Sequence, residues 1–306
     1  MPIKVEWVDP NGEGAAINIH RSLTPMLDEA NLPAPIGTVS DGSKVYIDNT
    51  VVRNQLYYYR LSSLGKAGSS ELVITPNKAM AYMPYTGPGP QSIIRGNWEC
   101  GFFGRIPMGS LISQSEMISL ITAGGSPVEN ATTDNEWLKF VYKGKIIFFP
   151  KYPLAGTISW EMIYRSGLVY GDIPEAEWSA YPKTTYGVIT QKKRITIGNH
   201  EFTVRNPTSR GNPANTGTTT ADLMGGEVDQ FISLIARLRV YPDTAGRLQV
   251  DDVDYPAFTG MSTDLGPTGL QVNRGWSNGV DVVNYSLAAA GVHAQHGWRP
   301  LLILSI

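Results

Sequence analysis

The sequence predicts a β-rich, multi-domain chain: an N-terminal β-sandwich followed by an α+β region. Three observations carry this expectation. At 306 residues the chain exceeds what a single core usually organises, so about two domains are favoured. Charged residues make up 17% of the chain while Gly, Pro and Tyr number 32, 21 and 15, a balance that favours turns and strands over helices. Short alternating segments also recur between clusters of Gly, Pro and Asn. No internal repeat is visible, and no β-α-β alternation points to a nucleotide-binding parallel sheet.

The elements follow in order. "IKVEWV" and "AAINIHRS" flank the turn "DPNGEG"; "KVYIDN" and "QLYYYRLSSL" come next, and "GKAGSS" turns the chain into "ELVITP". This spacing is that of a small sandwich. In "PNKAMAYMPYTGPGPQ", Pro76, Pro84, Pro88 and Pro90 with Gly87 and Gly89 predict an extended spacer. The domains are therefore expected at 1–76 and 91–306, joined by a Pro/Gly-rich linker over 77–90, with a sub-boundary near residue 171. "SQSEMISLITAGG" predicts a short helix opened by a Ser113/Glu116 capping box and stopped at Gly124. "WLKFVYKGKIIFFP" predicts a hairpin turning at Lys143 and Gly144, and "RITIGNHEFTVRNP" another at Gly198 and Asn199. Between them "SWEMIYRSG" reads as a helix capped by Ser159 and closed by Gly167. In "GEVDQFISLIARLRV", Val228, Phe231, Ile232, Ile235 and Leu238 share one helical face. From Tyr241 onward the text predicts long loops, the usual carriers of binding surface. The final "GWRPLLIL" predicts a closing strand covered on both faces.

Composition also excludes. A net charge of −2 offers no global attraction to nucleic acid or anionic membrane, and "KKR" at Lys192–Arg194 reads as a solvated strand edge. Cys100 is alone, which rules out a disulfide framework and implies folding in a reducing cytoplasm. "MPIKVEWVDP" lacks the apolar core of a signal peptide, and no apolar run is long enough to span a membrane. No G-x-S-x-G, P-loop or G-x-G-x-x-G occurs; "GPGPQ" cannot cradle a phosphate because proline lacks the N–H groups that would do so. His293 and His296, with Asp281 nearby, lack the further ligands of a zinc site and read as packing residues. Asp251, Asp252 and Asp254 lack the glycine and distal glutamate of a calcium loop and read as a solvated acidic turn. Neither cofactor nor metal is expected. The aromatics Trp178, Tyr181, Tyr186, Tyr255, Phe258, Trp276 and Tyr285, read as loop residues, are candidates for stacking on sugars or anchoring protein contacts.

Two resemblances add to this. Residues 1–76 resemble a fibronectin type III domain: Trp7 matches the buried Trp of an early strand, Tyr57 stands where that family places its tyrosine corner, and "YYYRLSSLGKAGSSEL" looks like its late hairpin. The family's first strand is missing, which implies a trimmed sandwich or one completed by a neighbour. Residues 87–306 resemble a family of tailed-bacteriophage and prophage virion proteins. The similarity is carried by an ordered series: "GPGPQSIIRGNWECGFFGRIP", "WLKFVYKGKIIFFPKYPLAGTISWEMIYRSGLVYG", "ITIGNHEFTVRNP", an amphipathic helix and "GWRPLLIL". The closing Gly-Trp-Arg is also similar to the last strand of C-type-lectin-like and formylglycine-generating-enzyme-like folds, whose catalytic cysteines this chain lacks.

The resemblance implies a non-enzymatic structural protein of the tail, neck, collar or fibre. It would be made in the bacterial host cytoplasm, reside in the virion, and assemble with copies of itself and other virion proteins, without nucleic acid or membrane insertion. Trp7, Tyr57, Trp298 and Arg299 are its expected structural residues, the last two fixing the loop-rich segment just before the closing strand. Two alternatives stay open. One is a host-surface glycan-binding adhesin whose loops use Trp276, Asn278, Tyr255 and Phe258. The other is a virion-associated polysaccharide hydrolase using Asp251, Asp252, Asp254 or Glu175, with Glu177 equally available.

Overall fold

The computed structural model describes residues 2–8, 16–64, 72–123, 128–129, 135–178, 180–211, 225–235, 238–240, 248–250, 259–265, 270–277, 280–288 and 296–305. The chain divides into two units, Met1–Thr86 with Gly96–Glu99, and Gly87–Arg95 with Cys100–Ile306. It is β-rich, and its sheets are mostly antiparallel.

The first unit contains β1 (Ile3–Glu6), β2 (Ile17–Ser22), β3 (Gly37–Val39), β4 (Val45–Asp48), β5 (Leu56–Leu64), β6 (Leu72–Ile74) and β7 (Lys78–Ala81). β1 pairs with β4; in a second sheet β3, β2 and β5 lie side by side, and the far edge of β5 is shared by β6 and β7. In β1 the buried Ile3 and Val5 alternate with the exposed Lys4 and Glu6, the period expected of a strand with one covered face. Those two residues join Ile19 of β2 and Tyr57, Tyr59 and Leu61 of β5 in one core, so the two sheets share their apolar faces. Trp7 packs against this core half-buried, less enclosed than its resemblance implied.

Two polar devices set the turn between β4 and β5. Asp48 is buried, and its carboxylate accepts hydrogen bonds from the Thr50 N–H at 2.9 Å, the Tyr59 hydroxyl at 2.8 Å and the Arg21 guanidinium at 2.7 Å. Burial pushes its pKa up, but these donors outweigh burial and hold the carboxyl below its ordinary value. The Tyr57 hydroxyl accepts the Val52 N–H at 2.9 Å, five residues upstream. Tyr57→Phe leaves that N–H without its partner, and a loss of about 1–2 kcal/mol in the urea transition of this unit is expected.

The region read as a spacer is more ordered than expected. Pro76 and Pro84 bracket Lys78–Ala81 without interrupting it, so these residues keep their N–H groups and pair with Leu56–Tyr59 as β7. Gly87–Pro90 belongs to the second unit.

That unit is formed by β8 (Arg95–Gly96), β9 (Cys100–Pro107), α1 (Met108–Leu111), α2 (Gln114–Ile118), β10 (Val128–Glu129), β11 (Glu136–Tyr142), β12 (Lys145–Pro150), β13 (Ala155–Gly156), α3 (Trp160–Arg165), α4 (Ala180–Tyr186), β14 (Arg194–Ile197), β15 (His200–Arg205), α5 (Glu227–Ile235), β16 (Leu238–Val240), β17 (Leu248–Val250), β18 (Thr259–Leu265), β19 (Leu270–Ser277), β20 (Val280–Ala288), β21 (His296–Gly297) and β22 (Leu301–Leu304). Seven strands make one sheet in the order β14-β15-β22-β12-β11-β9-β8, with β22 inserted antiparallel between β15 and β12. The closing strand thus lies in mid-sheet with Leu301, Leu302 and Leu304 buried.

Local signals account for most of its elements. Lys143 and Gly144 carry φ of 48° and 77°, as a two-residue hairpin turn between β11 and β12 requires, and Gly198 turns β14 into β15 with φ 58°. Ser113 accepts the Glu116 N–H while the Glu116 carboxylate accepts the Ser113 N–H, a complete capping box on α2. Ser113→Ala is expected to cost about 1 kcal/mol by denaturant titration. The Gly124 stop lies outside the described residues; α2 closes earlier, where the Ser119 hydroxyl donates to the Glu116 carbonyl. Ser159 caps α3, and Gly167 follows its end with φ 76°. Lys192–Arg194 leads into β14, an edge strand, as read.

Two expectations are corrected. The helical face read through Val228–Leu238 does not reach Leu238, which opens β16; Arg95, from far upstream, donates to the Leu234 and Ile235 carbonyls in the last described turn of α5. That cap is invisible to local periodicity. Most of the described residues after Tyr241 lie in strands, not in loops: β18, β19 and β20 form an antiparallel meander, and β21 joins β18 in parallel. Ser277 of β19 is the register partner of Val280 of β20.

Candidate functional site

The seven-stranded sheet has two different faces. On one, Leu138 and Phe140 of β11 pack with Phe102, Ile147, Phe149 and Leu301 beneath Phe231 and Ile235 of α5, and the Phe140 and Phe231 rings stack at 4.5 Å. Alternation along β11 sends Lys139 to the other face, where it is fully buried. Its Nζ lies 5.1 Å from the Phe103 ring centroid and 5.8 Å from that of Phe148. An ammonium among rings needs acceptors.

They come from the presumed spacer. Nζ donates to the carbonyls of Gly87 at 3.3 Å, Pro88 at 2.8 Å and Pro90 at 2.7 Å. The three N–H groups of an ammonium are matched by three carbonyls. The property that bars this stretch from cradling a phosphate suits it to a cation: proline contributes a carbonyl and no competing N–H. Gly89, at φ 78°, lets the segment lie flat on the sheet, where a Cβ would run into Ile106. The Gln91 amide donates to Gly87 and Gly89 carbonyls, both at 2.7 Å, and so braces the cradle. Burial pushes the Lys139 amine down to about 7. A lysine so shifted can act as a nucleophile when it is reachable. Here enclosure and three backbone acceptors make it a tie between strap and sheet.

Arg299 and Trp298 make the second tie. The Arg299 guanidinium lies 4.1 Å from the Phe149 ring centroid and donates to the Pro150 carbonyl at 2.8 and 3.1 Å and to the Lys151 carbonyl at 2.8 Å. The Trp298 indole N–H donates to Asn206 at 3.1 Å, while its backbone exchanges hydrogen bonds with Leu154 and Ala155, both at 2.8 Å. These residues therefore fasten the segments that follow β12 and β15, where the sequence pointed to the stretch just before β22. A third tie joins Arg205 of β15 to Glu227 at the start of α5, whose carboxylate also accepts the Thr208 N–H. Burial raises the Glu227 pKa, yet the Arg205 charge prevails and lowers it.

The predicted binding residues do not converge among the described residues. Tyr255, Phe258, Asn278, Asp251, Asp252, Asp254 and His293 lie outside them. Trp276 and Asp281 are register partners in β19 and β20, and Tyr285 is in β20; Tyr181 and Tyr186 are in α4. Most of the presumed loop aromatics within reach of the structure thus belong to strands or a helix. Trp178, itself half-buried, stacks on the buried Tyr170 at 4.7 Å and donates to the Ile173 carbonyl. Glu175 and Glu177 are exposed on a single 3-10 turn, and His296 stands in a strand. Cys100 is half-buried, its Sγ 4.0 Å from the Gln230 carbonyl. Among the described residues no group of three or more His, Cys, Asp or Glu is placed to hold a metal ion, and no helix is long and apolar enough to cross a membrane. The sequence reading passed over Lys139, although a lysine inside "WLKFVY", between residues that bury both faces of a strand, was a usable signal. Compared with protein-family models, with curated proteins and with solved structures, the chain matches none.

Proposed function

We propose that this chain is a non-enzymatic structural protein of a tailed-bacteriophage virion, placed in the tail, neck, collar or fibre and working through protein-protein assembly. The observation that carries the reading is how its resembling motifs are used. Gly-Phe-Phe-Gly lies in β9, Trp-Leu-Lys-Phe in β11, the Lys-Gly turn joins β11 to β12, and Trp-Arg-Pro leads into β22. All four serve one sheet, and its buried basic side chains Lys139, Arg299 and Arg205 hold segments together through carbonyls and a carboxylate. That is the chemistry of a scaffold. The first unit supports the fibronectin-like part of the reading: two sheets share a core, and Tyr57 bonds a backbone group upstream, as a tyrosine corner does. Such domains serve as spacers and side-contact surfaces.

The test is direct. Particles purified from a host producing this chain should contain it at a fixed copy number by quantitative mass spectrometry, and gold-labelled antibody should mark one location. Its absence from washed particles overturns the proposal.

A further inference from the structure

The carbonyl cradle around Lys139 has supports that do not involve the lysine. Gly87 and Gly89 carry φ of 80° and 78°, so the strap over residues 87–91 takes its shape from its own backbone. The Gln91 amide draws the Gly87 and Gly89 carbonyls together. On the sheet, Gly87 lies over Leu304 of β22, Gly89 over Ile106 of β9 and Pro90 over Gly104 of β9, each so close that a Cβ on the glycine would meet its neighbour. To these supports Lys139 adds an apolar stem and three N–H groups, buried beside the Phe103 and Phe148 rings and directed at the carbonyls of Gly87, Pro88 and Pro90.

We infer that residues 87–91 form a receptor for a primary ammonium group, filled in cis by Lys139, and that removing this side chain turns it into a binding site for a free primary alkylammonium ion. A group with three donors satisfies three acceptors turned toward one point, and the faces of two aromatic rings favour a cation beside them. An alcohol brings one donor and a quaternary ammonium none. A potassium ion would meet the carbonyls but leave the apolar channel of the stem empty, and an unfilled cavity destabilises. Lys139→Ala removes Cγ, Cδ, Cε and Nζ, which are the heavy atoms of n-propylammonium. Because the strap is seated by contacts of its own, the ion does not have to order it. The inference rests on Lys139 as a tie and is independent of the virion reading.

The experiment follows the full-length Lys139→Ala chain by amide exchange and thermal melting, with n-propylammonium chloride added at neutral pH. So small a ligand is expected to bind at about millimolar concentration. At about ten times its Kd it should slow exchange at Gly87, Gly89 and Gln91 about tenfold and raise the melting temperature. Potassium chloride at the same ionic strength, tetramethylammonium chloride and n-propanol are expected to give no comparable protection. Neither the wild-type nor the Lys139→Met chain, whose channels are filled, should respond. Lys139→Gly lengthens the vacancy by one methylene and should shift the preference to n-butylammonium. An n-propylammonium ion that protects the alanine variant no better than potassium or n-propanol overturns the inference, as does an equal response from the wild-type chain. A Lys139→Ala chain that stays unfolded at every amine concentration, or a glycine variant that still prefers the shorter ion, overturns it as well.

Discussion

Removing residues 298–306 is expected to leave the second unit without a cooperative unfolding transition, while the first unit still folds. The cut takes away Trp298, Leu301, Leu302 and Leu304, all buried, at roughly 1.5–3 kcal/mol for each aliphatic side chain and more for the indole. It also unpairs β12 from β15, whose connection runs only through β22. The sum rivals the ~5–15 kcal/mol that stabilises a whole domain. Two-step urea denaturation monitored by tryptophan fluorescence, with limited proteolysis of the soluble fraction, checks it. A truncated chain that keeps a protease-resistant second unit would show that β22 is dispensable. The milder Leu302→Ala should cost about 2–5 kcal/mol and keep the fold.

Lys139→Met is expected to destabilise the second unit by about 2–4 kcal/mol and to expose residues 87–91 to hydrogen exchange. Methionine fills a similar volume without a cation to solvate, which on its own would be neutral or favourable. It leaves the Pro88 and Pro90 carbonyls without the donor they now have, and that loss dominates. The wild-type chain has a matching pH signature. With a pKa of about 7 when folded and an ordinary value of 10.5, Lys139 is protonated in the unfolded chain and neutral in the folded one between those limits. The unfolded state binds more protons there, so the Lys139 contribution makes stability rise with pH across that window and is level below it. Denaturation midpoints at about pH 6, 8 and 10 should show the rise in wild type and its loss in the methionine variant. A variant as stable as wild type, with the same pH profile, would leave the strap without its anchor.

Which features were legible follows from how far their causes reach along the chain. The Lys143–Gly144 turn, the Ser113 box and the Ser159 cap each depend on neighbours a few residues apart, and each stands where local rules place it, as does the part of the α5 face from Val228 to Ile235. The cap on the last described turn of α5 comes from Arg95, and the tie at Lys139 from carbonyls about fifty residues upstream; no periodicity reports such distances. The β18–β20 meander was misread for another reason. The sequence between its strands carries the same Gly and Asn that mark loops, and only the alternation of the flanking strand residues separates the two cases. Among the candidate binding residues, Trp276 moved from loop to strand by that correction.

The position of β22 also orders events in time. The ribosome makes β9, β11, β12, β14 and β15 before it makes β22, so the sheet first exists as two separate parts. At about 5–20 residues per second, the interval from the end of β15 to the start of β22 is roughly 5–20 s. Throughout it the facing edges of β12 and β15 stand open and apolar, while the first unit has everything it needs to fold. A nascent chain of this design is most exposed to aggregation just before its final strand emerges, and a holding chaperone would matter more to its yield than any gain in the stability of the finished fold.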